Sequence, residues 1–438
     1  MPRRPLRPSP SYSAARAVAQ GRRVTAWGAA ALALASAPAS ADTSAGFYDP
    51  PASLPAANGA VVRTEPMRLA LRPGIATRIM YRSTDANGLP VAVTGTYIEP
   101  EVPYSGQGPR PLVVFAPGTQ GQADGCAPSY GLERGLVSRV AGGTNFGYEG
   151  PVISQLVRRG AAVVVTDYVG LGTTDRLHTY MSRLDQGHAV LDAARAALRL
   201  PGTSITGASA VGVYGYSQGG AAAGAAVELA TGYAPEVNLA AAYVGGPPAD
   251  LAAVMRAVDG TALTGVIGYA VNGFVQTYPQ LGRIVDAEAT PTGKRVLQRL
   301  TRQCELDSMA TFGFQRTTRW LTGGRSIAQL AATDPMVRDV VDAQRLGRAK
   351  PPVPVLVLTG TRDDIVPHRQ ARQLAVDWCA LGAEVTYIGV RQSASTGGTG
   401  GNHVSLLISH TPTAQRWLIE RLAGSPPASN CAALADRP

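Results

Sequence analysis

The chain has 438 residues, of which 45% are hydrophobic and 16% charged, a composition typical of a globular protein with a large buried core. The formal net charge of +10 comes from 40 basic and 30 acidic residues. Six of the arginines lie in residues 1–41, and no basic run interleaved with aromatic residues follows, so the charge gives no support for a nucleic-acid-binding protein.

Residues 1–41 have the pattern of a secretory signal peptide. They contain no acidic residue, their apolar segment covers residues 26–37, and Ala39, Ser40 and Ala41 provide small side chains for cleavage. The apolar segment is too short to span a membrane, and no later stretch of 18 residues is free of charges and helix breakers. We therefore expect an exported protein without a transmembrane segment. The pair Arg22 and Arg23 fits a twin-arginine signal poorly.

After a surface segment at residues 42–65, apolar runs alternate with helical patterns. Two alternating runs, 75–82 and 91–98, predict antiparallel strands joined by a turn at 85–88. Continuous apolar runs of the kind buried in parallel sheets follow at 111–115, 161–166, 210–214, 240–244, 353–358 and 384–388. Helical patterns at 153–159 and 184–200 lie between them. The pattern predicts an α/β fold with a mostly parallel sheet flanked by helices.

About 100 residues separate two of these strands, and their pattern is mainly helical. A connection of this length needs a structure of its own, so we expect residues 247–350 to form a helical lid or cap. The core would then consist of residues 42–246 and 351–438.

The sequence Gly215-Tyr-Ser217-Gln218-Gly219 lies between a predicted strand and a predicted helix. In a chain with 50 glycines, G-x-S-x-G can arise by chance. Its position after a strand and before a helix favours a nucleophile elbow, in which a sharp turn projects the serine hydroxyl. The backbone N–H of Gln218 would begin the helix and point at the substrate oxygen.

A general base for Ser217 should be a histidine that follows an acid in the sequence. His178 and His188 precede the serine, and both suit surface or packing roles. His368 lies too close to the best acid, and His410 falls within the last helix. His403 is left, in a glycine-rich segment just before a helix at 404–408. The five histidines are His178, His188, His368, His403 and His410.

The acid comes from the strand at 353–358, which ends in Gly360-Thr-Arg-Asp363-Asp364-Ile-Val-Pro367. Asp363 occupies the position from which a carboxylate can hold an imidazole in the right tautomer. Asp364 is the alternative, although it could equally cap the helix that starts near Pro367. The order serine, acid, histidine is that of α/β-hydrolases.

Four cysteines, Cys126, Cys304, Cys379 and Cys431, are an even number in a chain expected to be exported. This favours two disulfides, with three possible connectivities. Their spacing does not fit a zinc site, and we expect neither a metal nor an organic cofactor.

Beyond the elbow, several segments resemble the secretory lipase family. They are Cys126-Ala-Pro-Ser-Tyr130, Val164-Val-Thr-Asp167-Tyr-Val-Gly170, the long helical insertion and Gly401-Asn-His403. The resemblance extends from about residue 65 to the C-terminus. It implies hydrolysis of lipid or carboxylic esters, with a lid over an acyl tunnel. It also implies that Cys126 pairs with Cys304 and Cys379 with Cys431.

The resemblance also implies an oxyanion hole made by Gln218 N–H and Asp167. An aspartate can donate only when protonated, which requires a raised pKa. General reasoning instead places the second donor at Gly118 or Thr119, after the strand at 111–115. The residue after the serine is often glycine in the family and is Gln218 here.

These observations predict a secreted lipase or esterase in which Ser217, His403 and Asp363 act through an acyl-enzyme. One alternative is an acyltransferase of the cell envelope, because an acyl-enzyme can also pass its acyl group to an alcohol or sugar. Another is an inactive binding protein on the same fold. Residues 42–110 are too short for the extra domain of a prolyl peptidase. The expected partner is a small lipid or ester, met in solution or at a lipid–water interface.

Overall fold

The protein is described by a computed structural model that covers residues 45–135, 137–140, 143–393, 397–426 and 429–434. The predicted signal peptide, residues 1–41, lies outside these ranges. The strands are β1 Val61–Met67, β2 Ile75–Thr84, β3 Pro90–Glu99, β4 Leu112–Ala116, β5 Ser138–Val140, β6 Gly143–Asn145, β7 Ala162–Thr166, β8 Val211–Tyr216, β9 Leu239–Gly245, β10 Val355–Gly360 and β11 Val385–Val390.

Helices follow most of these strands. They are α1 Pro128–Arg134, α2 Gly150–Arg158, α3 Arg183–Leu198, α4 Gln218–Tyr233, α5 Leu251–Val258, α6 Gly265–Thr277, α7 Leu281–Glu288, α8 Pro291–Leu300, α9 Glu305–Phe312, α10 Ile327–Thr333, α11 Pro335–Ala343, α12 His368–Ala380 and α13 Gly401–Leu422. Within the described residues, no helix is both long enough and apolar enough to cross a membrane.

The main sheet of the described residues has nine strands in the order β1-β2-β3-β7-β4-β8-β9-β10-β11. Six strands pair in parallel, namely β7, β4, β8, β9, β10 and β11, and an antiparallel edge is formed by β1, β2 and β3. Every residue of β4, β7 and β8 is buried, because helices cover both faces. The α/β-hydrolase fold predicted from the sequence is confirmed.

All the strands predicted from apolar runs are present, with ends shifted by at most two residues. Strand β1 was not predicted, and it begins within the segment expected to lie on the surface. Its side chains are mostly half-buried or exposed, so its sequence carries little apolar alternation.

Parallel strands bring their carboxyl ends to one edge of the sheet. The segments after β4, β7, β8, β10 and β11 therefore meet there, and they carry the predicted site residues. Helix α4 can lie close against the sheet because Ala221, Ala222 and Ala223 have small buried side chains.

Helices α5 to α11 lie between β9 and β10, in the predicted insertion at residues 247–350. A disulfide between Cys126 and Cys304 joins the insertion to the core, and Gly121 pairs with Cys304 through the backbone. A second disulfide joins Cys379 to Cys431. Both pairings are those implied by the family resemblance.

Candidate active site

Ser217 lies at a sharp turn between β8 and α4. Its backbone has φ 58° and ψ −122°, a strained conformation for a residue with a side chain. A Cβ atom at Gly215 would overlap the carbonyl oxygen of Gly219, and one at Gly219 would overlap that of Ala116. The turn is fixed further by a hydrogen bond of 2.9 Å from Ser217 N to Gly245 O. The two glycines of the motif are therefore required by close backbone contacts.

The predicted base and acid are in direct contact. The Nδ1 atom of His403 lies 2.7 Å from Oδ2 of Asp363. The other carboxylate oxygen, Oδ1, accepts hydrogen bonds from the backbone N–H groups of Ile365 at 3.0 Å and Val366 at 2.8 Å. Because both oxygens are engaged, the carboxylate has one orientation, and it directs Nε2 of His403 away from Asp363.

Asp364, the alternative acid, contacts the backbone instead of the imidazole. Its Oδ2 accepts from Gly400 N at 2.9 Å, and its Oδ1 accepts from His403 N at 3.3 Å. Asp364 thus satisfies N–H groups at the start of α13, a helix that begins at Gly401. The sequence predicted that His403 lies in the segment before a helix, whereas the structure places it in the first turn of α13. The carboxylate that caps α13 lies 36 residues before Gly400 in the sequence. The sequence around Gly400 therefore did not indicate where the helix begins.

Tyr216 connects the turn at Ser217 to His403, the predicted base. Its hydroxyl donates to the carbonyl oxygen of His403 at 2.7 Å, and the two rings have centroids 5.0 Å apart. Burial alone would lower the pKa of His403, but the charges of Asp363, Asp364 and Glu305 outweigh it, so the pKa is raised. Among the described residues, no group forms a hydrogen bond with the buried Nε2 of His403. This nitrogen is available to accept a proton.

The two residues predicted for the oxyanion hole follow β7 and β8, which lie on either side of β4 in the sheet. Gln218 is the first residue of α4, so its backbone N–H has no partner within the helix. The carboxylate of Asp167 accepts from Ser129 N at 2.9 Å, Ser129 Oγ at 2.6 Å and Thr94 Oγ1 at 2.8 Å. Burial raises the pKa of Asp167 to about 6, although these hydrogen bonds oppose the shift. In this arrangement Asp167 acts as an acceptor.

The alternative donors follow β4. Gly118 N donates to both carboxylate oxygens of Glu149, at 3.1 and 2.9 Å, and Gln120 Nε2 lies 3.3 Å from the same side chain. The hydroxyl of Thr119 lies 2.8 Å from that of Tyr180. Glu149 therefore holds the segment after β4 in place, and the Gly118 N–H is already occupied.

Sequence reasoning missed two acidic residues near the site. Burial raises the pKa of Glu149 to about 8 and that of Glu305 to about 7. Glu305 follows Cys304, its backbone N–H donates to Gln120 O at 2.8 Å, and its charge acts on His403. The pairing of Cys304 with a cysteine near the site could have indicated Glu305, whereas no sequence signal singled out Glu149.

The other histidines have contacts away from Asp363. His188 stacks on a tyrosine ring with centroids 3.8 Å apart, and Nε2 of His368 lies 2.6 Å from a tyrosine hydroxyl. His410 is half-buried beside a serine. His178 is buried, and its Nε2 lies 3.2 Å from the side chain of Gln218. The described residues contain no group of three or more His, Cys, Asp or Glu side chains arranged to hold a metal ion.

Residues 137–430 match the family model of secretory lipases. A protein of Mycobacterium tuberculosis named as a probable inactive lipase is 32% identical over 386 residues, which cover 87% of this chain and 82% of that protein. A secreted triacylglycerol lipase of Malassezia globosa is 26% identical over 359 residues, which cover 81% of this chain and 75% of that lipase.

Solved structures with the same fold include the closed state of Candida antarctica lipase A, with a TM-score of 0.74 and 21% identity over 88% of this chain and 87% of that one. The rice cell wall degrading esterase LipA of Xanthomonas oryzae has a TM-score of 0.71 and 18% identity over 84% of this chain and 100% of that one. At these identities the structural likeness establishes the fold.

Proposed function

The chain belongs to the secretory lipase family and is a carboxylic ester hydrolase, and we propose that it is a secreted lipase that works through a serine acyl-enzyme. The observation that carries the proposal is the contact of 2.7 Å between His403 Nδ1 and Asp363 Oδ2 beside the strained turn at Ser217. These three residues are the proposed catalytic triad.

In the proposed mechanism, Ser217 Oγ attacks the ester carbonyl while His403 Nε2 takes its proton. Asp363 keeps the other imidazole proton on Nδ1 and stabilises the imidazolium that forms. The imidazolium then protonates the leaving alcohol, which departs and leaves an acyl-enzyme. Water, deprotonated by the same nitrogen, attacks the acyl-enzyme. Collapse of the second intermediate breaks the bond to Ser217 Oγ, releases the carboxylic acid and returns the proton from His403 to Ser217.

The backbone N–H of Gln218 is the proposed first donor to the oxyanion, because it lies at the start of α4, where the helix dipole also favours negative charge. The second donor is either Asp167 or the pair Gly118 and Thr119, and mutation of Asp167 should give different results in the two cases. If Asp167 donates, Asp167→Asn supplies an N–H at every pH and retains activity, while Asp167→Ala loses on the order of 100-fold in kcat. If Gly118 or Thr119 donates, Asp167→Ala keeps a kcat near that of the wild type.

We assign residues 247–350 the role of a lid. An apolar cavity of about 70 Å³ lies within this insertion, between helices α6, α7, α8, α10 and α11, and its lining contains none of the three proposed catalytic residues. Phe274, Leu297, Leu321 and Leu330 are among its lining residues. Its apolar lining suits part of an acyl chain, and the name of the Malassezia globosa relative suggests an acylglycerol as the substrate.

Export is the proposed fate of the chain. The family is secretory, residues 1–41 have the pattern of a signal peptide, and two disulfides are formed, which persist in oxidising compartments. Edman sequencing or mass spectrometry of the secreted protein should find a mature N-terminus near residue 42.

An inactive protein is the second candidate, because a relative with 32% identity is named as a probable inactive lipase. Ser217, Asp363 and His403 are all present in this chain, which argues for activity. The two candidates differ in reaction with a fluorophosphonate, which labels a serine only when a base activates it. Absence of labelling in the folded, mature protein would favour the inactive protein.

The direct test is hydrolysis of p-nitrophenyl esters with acyl chains of about two to sixteen carbons, beside a Ser217→Ala variant. We expect the variant to lose roughly three to six orders of magnitude in kcat. Activity that extends to long chains would support the lipase and its acyl cavity. Activity confined to short chains would support an esterase, and activity that survives in Ser217→Ala would refute the proposed nucleophile.

A further inference from the structure

The residue after the nucleophile carries a side chain that needs a partner. Gln218 is only 2% exposed, and its Nε2 lies 3.2 Å from Nε2 of His178. A buried amide without a hydrogen bond would cost on the order of 1–3 kcal/mol. The position of Gln218, and with it the start of α4, therefore depends on His178.

The hydrogen bonds of His178 determine which of its nitrogens carries the proton. Nδ1 lies 2.9 Å from the carbonyl oxygen of Val169, which can only accept. The proton must therefore be on Nδ1, which leaves a lone pair on Nε2 for the amide N–H of Gln218. Burial lowers the pKa of His178 to about 4, so the ring stays a neutral acceptor at neutral pH.

The ring of His178 is also fixed by its neighbours. It stacks on Tyr168 with centroids 6.0 Å apart and an interplanar angle of 19°. The edge of Tyr180 meets it with centroids 5.9 Å apart and an angle of 72°. Since His178 is only 1% exposed, it has little freedom to follow a displaced Gln218.

Helix α6 of the insertion packs on the segment that carries His178. Gln122 Nε2 donates to Tyr269 O at 2.9 Å and lies 3.3 Å from His178 O, and Asn272 Nδ2 donates to Gln122 Oε1 at 2.9 Å. A Cβ at Gly273 would lie 2.7 Å from Tyr180 N, so this helix approaches the segment closely. Contacts from both the core and the insertion hold His178 in place.

We propose that His178 is a positioning residue, which holds the side chain of Gln218 and thereby aims the backbone N–H of Gln218 at the oxyanion. This inference rests on the proposed function, in which that N–H stabilises the oxyanion. A chain with glycine after the serine would have no side chain to hold. His178 and Gln218 should therefore act as a pair.

The test is a double-mutant cycle with His178→Ala, Gln218→Gly and the combined variant, measured as kcat and KM on a p-nitrophenyl ester. We expect His178→Ala to lower kcat by about tenfold with little change in KM, less than the 100-fold or more for loss of a whole donor. On the Gln218→Gly background, the same change should cost less than about twofold. An equal loss on both backgrounds would overturn the proposal, because His178 would then act independently of Gln218.

His188→Ala is the matched control. His188 is also a buried histidine that stacks on a tyrosine, and its Nδ1 lies 2.9 Å from Thr84 O, but it does not contact the elbow. We expect a lower Tm and an unchanged kcat. If His178→Ala does not fold, His178→Leu, which fills more of the space but has no acceptor, serves the same cycle. His178→Gln, whose amide oxygen can accept from Gln218, should instead restore most of kcat in the otherwise wild-type chain.

Fluorophosphonate labelling separates this inference from the proposed function. A wild-type protein that is not labelled, or a Ser217→Ala variant that keeps its activity, would refute the proposed function itself. Normal labelling of the wild type, together with equal losses for His178→Ala on both backgrounds, would refute only the role of His178.

Discussion

Replacing Asp363 by asparagine should reverse the hydrogen bond on which the proposed base depends. The backbone N–H groups of Ile365 and Val366 both point at Oδ1, at 3.0 and 2.8 Å. An asparagine must therefore turn its oxygen toward them, which places its NH₂ group against Nδ1 of His403. A neutral imidazole would then carry its proton on Nε2, the tautomer that cannot accept a proton from Ser217.

The expected loss in kcat is on the order of 10⁴-fold, as for other triads forced into the wrong tautomer. At about 1.36 kcal/mol for each tenfold change, this corresponds to about 5.4 kcal/mol in the barrier. The assay is hydrolysis of a p-nitrophenyl ester at saturating substrate. Circular dichroism and Tm should show that the variant is folded, because the two side chains have the same shape.

Asp364→Asn is the matched control, one residue further along the chain. Asp364 accepts from Gly400 N and His403 N, and an asparagine oxygen can replace one of these bonds. We expect a loss in kcat of less than about tenfold, together with a lower Tm. A large loss in Asp364→Asn with near-normal activity in Asp363→Asn would refute the assignment of the acid.

Glu305→Gln removes a negative charge that raises the pKa of His403. The acid limb of the pH profile of kcat/KM should therefore move to lower pH, and a limb that does not move would exclude an effect of Glu305 on His403. Gly219→Ala should give little folded protein, because its Cβ would overlap a carbonyl oxygen, and a soluble variant with the wild-type Tm would contradict this. Replacing both Cys379 and Cys431 by alanine should lower the free energy of unfolding in urea by about 4 kcal/mol, since the bond closes a loop of 52 residues. A loss below about 1 kcal/mol would mean that the unfolded chain is already restricted there.

The sheet could be predicted because its central strands carry their signal locally. Val113, Val114 and Phe115 lie in a continuous apolar run, and each is fully buried between helices in β4. By contrast, β1 gave no such signal, because it lies at the edge of the sheet and only Met67 of its residues is buried. A strand could thus be predicted from its sequence where both of its faces are buried.

The contact between His403 and Asp363 followed from the order of residues along the chain, but the surroundings of the contact did not. The start of α13 depends on Asp364, and the orientation of Gln218 depends on His178, 40 residues earlier. Capping and amide partners of this kind come from distant segments, so neither a helix pattern nor a motif indicates them.

The disulfide next to Glu305 limits how the proposed lid can open. Glu305 begins α9 next to Cys304, which is joined to Cys126 by a disulfide and to Gly121 through the backbone. This end of the insertion cannot leave the core while the disulfide is intact. Opening must therefore move other parts of residues 247–350, and the charge of Glu305 should remain near His403 in the open state as well. The shift of the pH profile in Glu305→Gln should then be the same for short and long esters.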